Sequence, residues 1–133
     1  MFGPMALSQA FAPTLAVNGG GAIVNVQSVL AWVAVPGLAL YGASKAAGWS
    51  FTNSLRLRLH AQHTQVLGLY VGYMDTDMIK GVEAPKSDPR DVARQTLDGL
   101  EAGAHEVLAD DLSRQVRNAL SGDLAELYPT LAR

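Results

Sequence analysis

Tyr41 and Lys45 stand four residues apart in a stretch of helical pattern, and Ser28 closes a short apolar run upstream of them. Four residues is about one helical turn, so phenol and ammonium share a face. A lysine ammonium close to a phenol favours the phenolate and draws the tyrosine pKa down from about 10 towards working pH. A tyrosine tuned in that way gives or takes a proton at a carbinol or carbonyl oxygen. A serine at a strand end, where an α/β sheet presents its ligand-binding edge, holds the same oxygen from the other side. The tyrosine–lysine spacing alone is common on surface helices. The serine thirteen residues ahead of the tyrosine is what makes the set specific.

The elements that must position these residues follow from pattern. Residues 4–17 carry apolar side chains at near-helical spacing, with Pro4 suited to a first turn and Pro13 near the end. Asn18-Gly19-Gly20-Gly21 stops that helix. Residues 22–26 read as a buried strand rich in β-branched side chains. Residues 28–38 form a loop with a turn at Pro36-Gly37. A long helix runs from about Leu40 to His63, with small Ala43, Ala46 and Ala47 suited to close helix approach. A second strand covers 66–71, and an irregular segment follows from Gly72 to about Lys86. Ser87-Asp88 and Pro89 then start a helix over 89–102. Residues 106–109 form a third strand, and Asp110 or Asp111 caps a last helix reaching about Leu120. Such alternation means parallel strands with helices on both faces, an α/β layered sheet. Three strands are few where about six is common, so the chain reads as the C-terminal part of something larger.

Composition narrows the function classes. The 133 residues fit one domain, and 49% hydrophobic against 17% charged residues suits a globular fold with a real core. The 10 basic and 12 acidic residues leave a net charge of −2, which argues against nucleic acid or anionic membrane as the main partner. With no cysteine, disulfides, thiol nucleophiles and cysteine-held zinc are excluded, and a reducing compartment fits. The longest strongly apolar stretch, Val29 to Tyr41, falls short of the roughly 20 residues a spanning helix needs and is broken at Pro36-Gly37. No basic segment of signal-peptide type opens the chain. The expected location is cytoplasmic.

Four segments carry a resemblance. They are Gly20-Gly21-Ala22-Ile23-Val24-Asn25-Val26-Gln27-Ser28, then Tyr41-Gly42-Ala43-Ser44-Lys45, then Val71 to Met78, then Asp88-Pro89-Arg90-Asp91-Val92-Ala93. In residue type, order and spacing, over almost the whole chain, they resemble the short-chain dehydrogenase/reductase family. The resemblance implies a partial Rossmann-like doubly wound parallel sheet, with residues 1–133 as the C-terminal part of one domain and the N-terminal nucleotide-binding half missing. It implies Tyr41 as catalytic acid/base, Lys45 as the group that tunes it and bonds the nicotinamide ribose, and Ser28 as the group that orients the substrate oxygen. Gly72, Met74 and Thr76 match the segment that contacts the nicotinamide carboxamide, with Val71 where the family usually has proline. The implied cofactor is NAD or NADP, and the implied reaction is hydride transfer between nicotinamide and a secondary alcohol or ketone.

The resemblance also implies a homodimer through helices 4–17 and 40–63, with Ala43, Ala47 and Phe51 facing Phe11 and Leu7. The family's glycine-rich phosphate turn, its Asn-Asn-Ala-Gly motif and its catalytic asparagine do not occur in these residues. The expectation is an oxidoreductase whose residues 1–133 are inactive by themselves. The alternative is a non-catalytic remnant that acts through self-association. The choice between NAD and NADP stays open, and the apolar loop from Val29 to Leu40 favours an apolar or lipid-like carbonyl compound.

Weaker signals have plainer readings. Gly19-Gly20-Gly21 follows a helix and precedes a strand, the reverse of a phosphate cradle, and reads as a helix stop. His60 and His63 have no third ligand in view and Asp75 and Asp77 read as a solvated loop, so no metal is expected. Trp32, Trp49, Leu38 and Leu40 suit either a substrate pocket or packing, and Arg56 and Arg58 a solvated helix face.

Overall fold

The computed structural model describes residues 1–131. Helix α1 spans Phe2–Val17, strand β1 Gly21–Val26, helix α2 Ala39–Leu59 and strand β2 Thr64–Tyr70. Helix α3 spans Pro89–Glu101, strand β3 Glu106–Leu108, helix α4 Asp111–Ala119 and the one-turn helix α5 Leu124–Leu127. The strands form one parallel sheet in the order β1-β2-β3. Gly21 through Val26 align with Thr64 through Leu69, and Gly68 through Tyr70 with Glu106 through Leu108.

Side-chain alternation explains the layers. Leu67 and Leu69 of β2 join Val92 of α3 on one face, with Val24, Leu100 and Val107 packed around them. Val66 joins Ala12 of α1 and Leu55 and Leu59 of α2 on the other, with Ile23 and Phe51 against them. Tyr70 stacks on Trp32 at 4.2 Å between ring centroids, with Trp49 of α2 and Val116 and Leu120 of the α4 region around the pair. A central strand buried on both faces needs a near-continuous apolar run, which Val66 to Val71 supplies.

The boundaries differ from expectation where the chain turns. α2 ends at Leu59, short of His63, and a 3-10 turn over His60–Gln62 follows. His63 has φ 55, the left-handed region, and this reverses the chain so that β2 begins early, at Thr64. The glycine run meets that turn. Gly20 has φ 117, and a β-carbon there would collide with the His63 carbonyl, so glycine is required by both conformation and space. Arg56 was expected in solvent. It is half-buried instead, and its Nε and Nη2 donate to the carbonyls of Val66 (2.9 Å) and His105 (2.8 Å). It satisfies sheet carbonyls where short β3 gives β2 no neighbour.

Among the described residues the outer edge of β1 has no strand beside it. Gly21, Gln27 and Val29 donate their amides towards the β2 side, so Ala22, Val24 and Val26 turn theirs to the open edge. A groove of about 540 Å³ runs between that edge and α1, lined by Leu7, Phe11 and Leu15. No charged side chain precedes Lys45 in the chain, so α1, β1 and the loop after them are uncharged throughout.

The Tyr70 side chain is fully buried and its hydroxyl has no partner among the described residues. Burial, reinforced by the Glu106 carboxylate and opposed by Arg56 and Arg117, pushes this phenol well above the ordinary tyrosine range. The unfolded chain releases the same proton near pH 10 while the folded chain keeps it. Stability is therefore full below that pH and falls as pH rises through it, by up to about 1.4 kcal/mol per pH unit. Tyr70→Phe is expected to flatten that alkaline fall in urea midpoints measured from neutral to strongly basic pH. Parallel slopes for the two proteins would show that Tyr70 titrates alike in both states.

Candidate active site

Ser28 follows directly on β1. The backbone stays extended there, with φ −137 and ψ 156, and the Ser28 side chain caps the next turn by accepting from the Leu30 amide at 3.2 Å. The Val29 amide donates to the Val71 carbonyl at 3.2 Å, which pins the ends of the two strands together. Ser28 is thus buried at the carboxyl end of the sheet, the edge where α/β folds gather ligands.

Tyr41 lies in the first turn of α2 and is 42% exposed, so its hydroxyl is open to a ligand. Lys45, one turn on, holds Nζ 5.6 Å from the Tyr41 ring centroid, within cation–π range. The same ammonium donates to the Val26 carbonyl at 3.4 Å. Lys45 therefore bridges the helix carrying Tyr41 and the strand end leading to Ser28, and it takes one of the open-edge carbonyls of β1. A cavity of about 50 Å³ beside it is lined by Asn25, Gln27, Ser44, Gly48 and Phe51. Asn25 is fixed there by its amide, which donates to Thr52 Oγ at 3.1 Å.

Gly72, Met74 and Thr76 occupy the segment leaving β2. The Gly72 amide donates to Asp110 Oδ2 at 2.6 Å, and a β-carbon at Gly72 would press on that carboxylate and on Leu112 at 3.1 Å. Met74 is bridged to Ser87, whose amide donates to the Tyr73 carbonyl and whose carbonyl accepts from Asp75. The segment is thereby held as a short parallel addition to the fold, although Val71 lacks the fixed φ of a proline. Val71 is itself buried in the α3-side core. Thr76 precedes a 3-10 turn over Asp77–Ile79 and makes no capping bond with its side chain. Asp75 and Asp77 face Lys86 (3.8 Å) and Lys80 (2.6 Å) on the exposed flank of this loop.

Sequence reasoning missed Asp110 as a part of this site. Read only as a helix cap, it does accept from the Ser113 amide at 2.7 Å, and its second oxygen holds Gly72. An acidic residue directly after the last strand was the available signal. Asp110→Ala removes a cap and strands the Gly72 amide, so a loss of about 2–4 kcal/mol of stability is expected in denaturant unfolding. Asp111→Ala, at a carboxylate 89% exposed, is the control and should change stability by less than about 1 kcal/mol. Equal losses would remove Asp110 from this role.

Of the residues expected at a two-fold contact, Leu7 and Phe11 are 60% and 58% exposed on α1. Leu7 and Phe11 line the groove beside the open edge of β1, and Phe51 packs on the Leu55 cluster of its own chain. Leu40, 89% exposed, and Ala43 remain outward on α2. Among the described residues no helix is long and apolar enough to cross a membrane.

With this geometry in view, residues 1–87 match the family model described as short chain dehydrogenase. The chain is 33% identical to Dehydrogenase/reductase SDR family member 7B of Danio rerio over 110 residues, covering 72% of this chain and 36% of the relative. A short chain dehydrogenase from Burkholderia cenocepacia J2315, solved with NADP, superposes with a TM-score of 0.90 at 36% identity, over 99% of this chain and 57% of that one. A 7α-hydroxysteroid dehydrogenase, solved with NADH and 7-oxo glycochenodeoxycholic acid, gives a TM-score of 0.74 at 26% identity, over 81% of this chain and 49% of that one. The chain thus spans about a third of that curated relative and about half of those two solved proteins.

Proposed function

From a chain that belongs to the short-chain dehydrogenase family, we propose that residues 1–133 form the catalytic part of a nicotinamide-dependent oxidoreductase acting on a secondary alcohol or ketone. The observation that carries this reading is the placement of the Lys45 ammonium between the Tyr41 ring and the Val26 carbonyl, with Ser28 at the adjoining strand end. The residues fit a nicotinamide: Tyr41 has an open hydroxyl, Lys45 a cation, and Gly72 to Thr76 a fixed backbone facing the same sheet edge. When bound, the cofactor supplies or accepts the hydride. In the reduction direction Tyr41 donates the proton to the carbonyl oxygen, and Ser28 donates its hydroxyl proton to that oxygen while still accepting from the Leu30 amide. Lys45 steadies the phenolate that results and bonds the ribose hydroxyls.

In this reading the cradle for the pyrophosphate lies in protein outside these residues, because a glycine-rich strand–turn–helix does not occur in them. Both NADP and NADH occur in the related structures, and the choice is made by that other half. The substrate is apolar and bulky, matching Val35 and Leu38, which stand 41% and 46% exposed in the loop that leads into α2 and Tyr41. The test follows nicotinamide absorbance when the protein, joined to its dinucleotide-binding half, meets secondary ketones of increasing bulk. Turnover that needs Tyr41 is the expected result, and no turnover with any of them overturns the reading.

Assembly is part of the same proposal. Leu40 and Ala43 on α2, with the outer face of α1, form a two-fold interface. Sedimentation should show a dimer that Leu40→Glu weakens at least about tenfold. A wild-type monomer at high concentration refutes it.

A further inference from the structure

We infer that Tyr128 is a positioning residue that sets the apolar wall beside Tyr41 and so selects for bulky substrates; this rests on the function proposed above. The wall is the segment Val33-Ala34-Val35-Pro36-Gly37-Leu38, which has no polar side chain. Its inner end is fixed, because Trp32 is buried, stacks on Tyr70 and lies 5.7 Å from the Arg117 guanidinium. Its outer end enters α2 at Ala39, two residues before Tyr41.

Between those ends the segment has little of its own to hold it. Leu38 donates to Val35 within the turn. Among the described residues, the bond that ties residues 33–37 to another part of the molecule is the Ala34 amide donating to Tyr128 Oη at 2.8 Å, across 94 residues of sequence. The tyrosine is presented by a turn closed by its own hydrogen bonds. Asp123 and Glu126 close a reciprocal capping box around α5, the Tyr128 amide donates to the Leu124 carbonyl at 3.0 Å, and Leu131 donates back to the Tyr128 carbonyl at 2.8 Å. A one-turn helix that short is too small to fold by itself. Its capping box serves to aim the phenol at the loop.

The consequence is specific. Without that oxygen the Ala34 amide loses its partner and Val35 and Leu38 lose a fixed position. A small ketone reaches Tyr41 without touching the wall. A bulky apolar ketone needs the wall for binding, and the proton at Tyr41 is delivered in the same way for both. Loss of the anchor therefore appears in KM for the bulky substrate and not in kcat.

The test is Tyr128→Phe, which keeps the ring and removes the acceptor, read in two ways on the full chain. Hydrogen exchange at the Ala34 amide is expected to quicken by at least about tenfold. In the active protein, KM for a bulky apolar ketone is expected to rise at least about fivefold with kcat within about twofold, while both constants for a small ketone hold. Unchanged exchange at Ala34 overturns the proposal, as does an equal loss for both ketones. A wild-type protein that reduces no ketone overturns the proposed function instead, and the exchange measurement still decides whether Tyr128 holds the loop.

Discussion

Replacing Tyr41 by phenylalanine is expected to lower turnover by about 10²–10⁴-fold, in protein joined to its dinucleotide-binding half, while reduced cofactor still binds. The substitution is a clean one here. Tyr41 is 42% exposed and its hydroxyl has no hydrogen bond among the described residues, so removing the oxygen breaks no contact of the fold there. The phenylalanine ring still offers its face to Lys45, now 5.6 Å from the centroid, and the Lys45 bond to the Val26 carbonyl is untouched. What disappears is the proton and the hydrogen bond to the reacting oxygen. Cofactor titration and steady-state kinetics on the same preparation separate the two. Turnover within about threefold of wild type would remove Tyr41 from the chemistry.

The second large effect concerns residues 1–133 taken alone. They are expected to show no saturable binding of NADH or NADPH at micromolar concentration, a level that corresponds to about −8 kcal/mol. The nicotinamide end would find Tyr41, Lys45 and the Gly72 to Thr76 backbone. The pyrophosphate and adenine would find none of the amides that a glycine-rich helix start provides. Calorimetry or cofactor fluorescence decides it. Saturation in the micromolar range would show that the open β1 edge and its groove bind dinucleotide without a partner, and the division of labour proposed here would be wrong.

How much of this was legible depended on distance along the chain. The Tyr41–Lys45 pair is a matter of one helical turn, so its geometry is local and readable. The starts of α3 and α4 were readable because Asp88 and Asp110 cap them with their own side chains. The central strand declared itself through an unbroken apolar run. The bonds Gly72–Asp110, Arg56–His105 and Ala34–Tyr128 join residues 38, 49 and 94 positions apart. No spacing rule reaches them, because they exist only after the sheet has brought its ends together. The short α5 is different: Asp123 and Glu126 sit at capping-box spacing, and that signal was present though the turn is too brief for periodicity to mark. The surroundings of Leu7 and Phe11 were hidden for another reason. Helix spacing shows which side chains share a face of α1, and only the position of β1 shows that Leu7 and Phe11 point along its edge.

The uncharged stretch before Lys45 has a consequence in solution physics. Whatever covers the β1 edge and α1 meets backbone amides and apolar side chains there, and the charged side chain shown on that edge is Lys45, at its Val26 end. Its affinity should stay nearly flat from low to physiological ionic strength, where charge-driven association falls steeply. It should strengthen in sulfate, which is excluded from protein surface, and loosen on cooling as apolar burial weakens. A cold-sensitive, salt-tolerant complex is the physical signature this half of the molecule imposes on its partner.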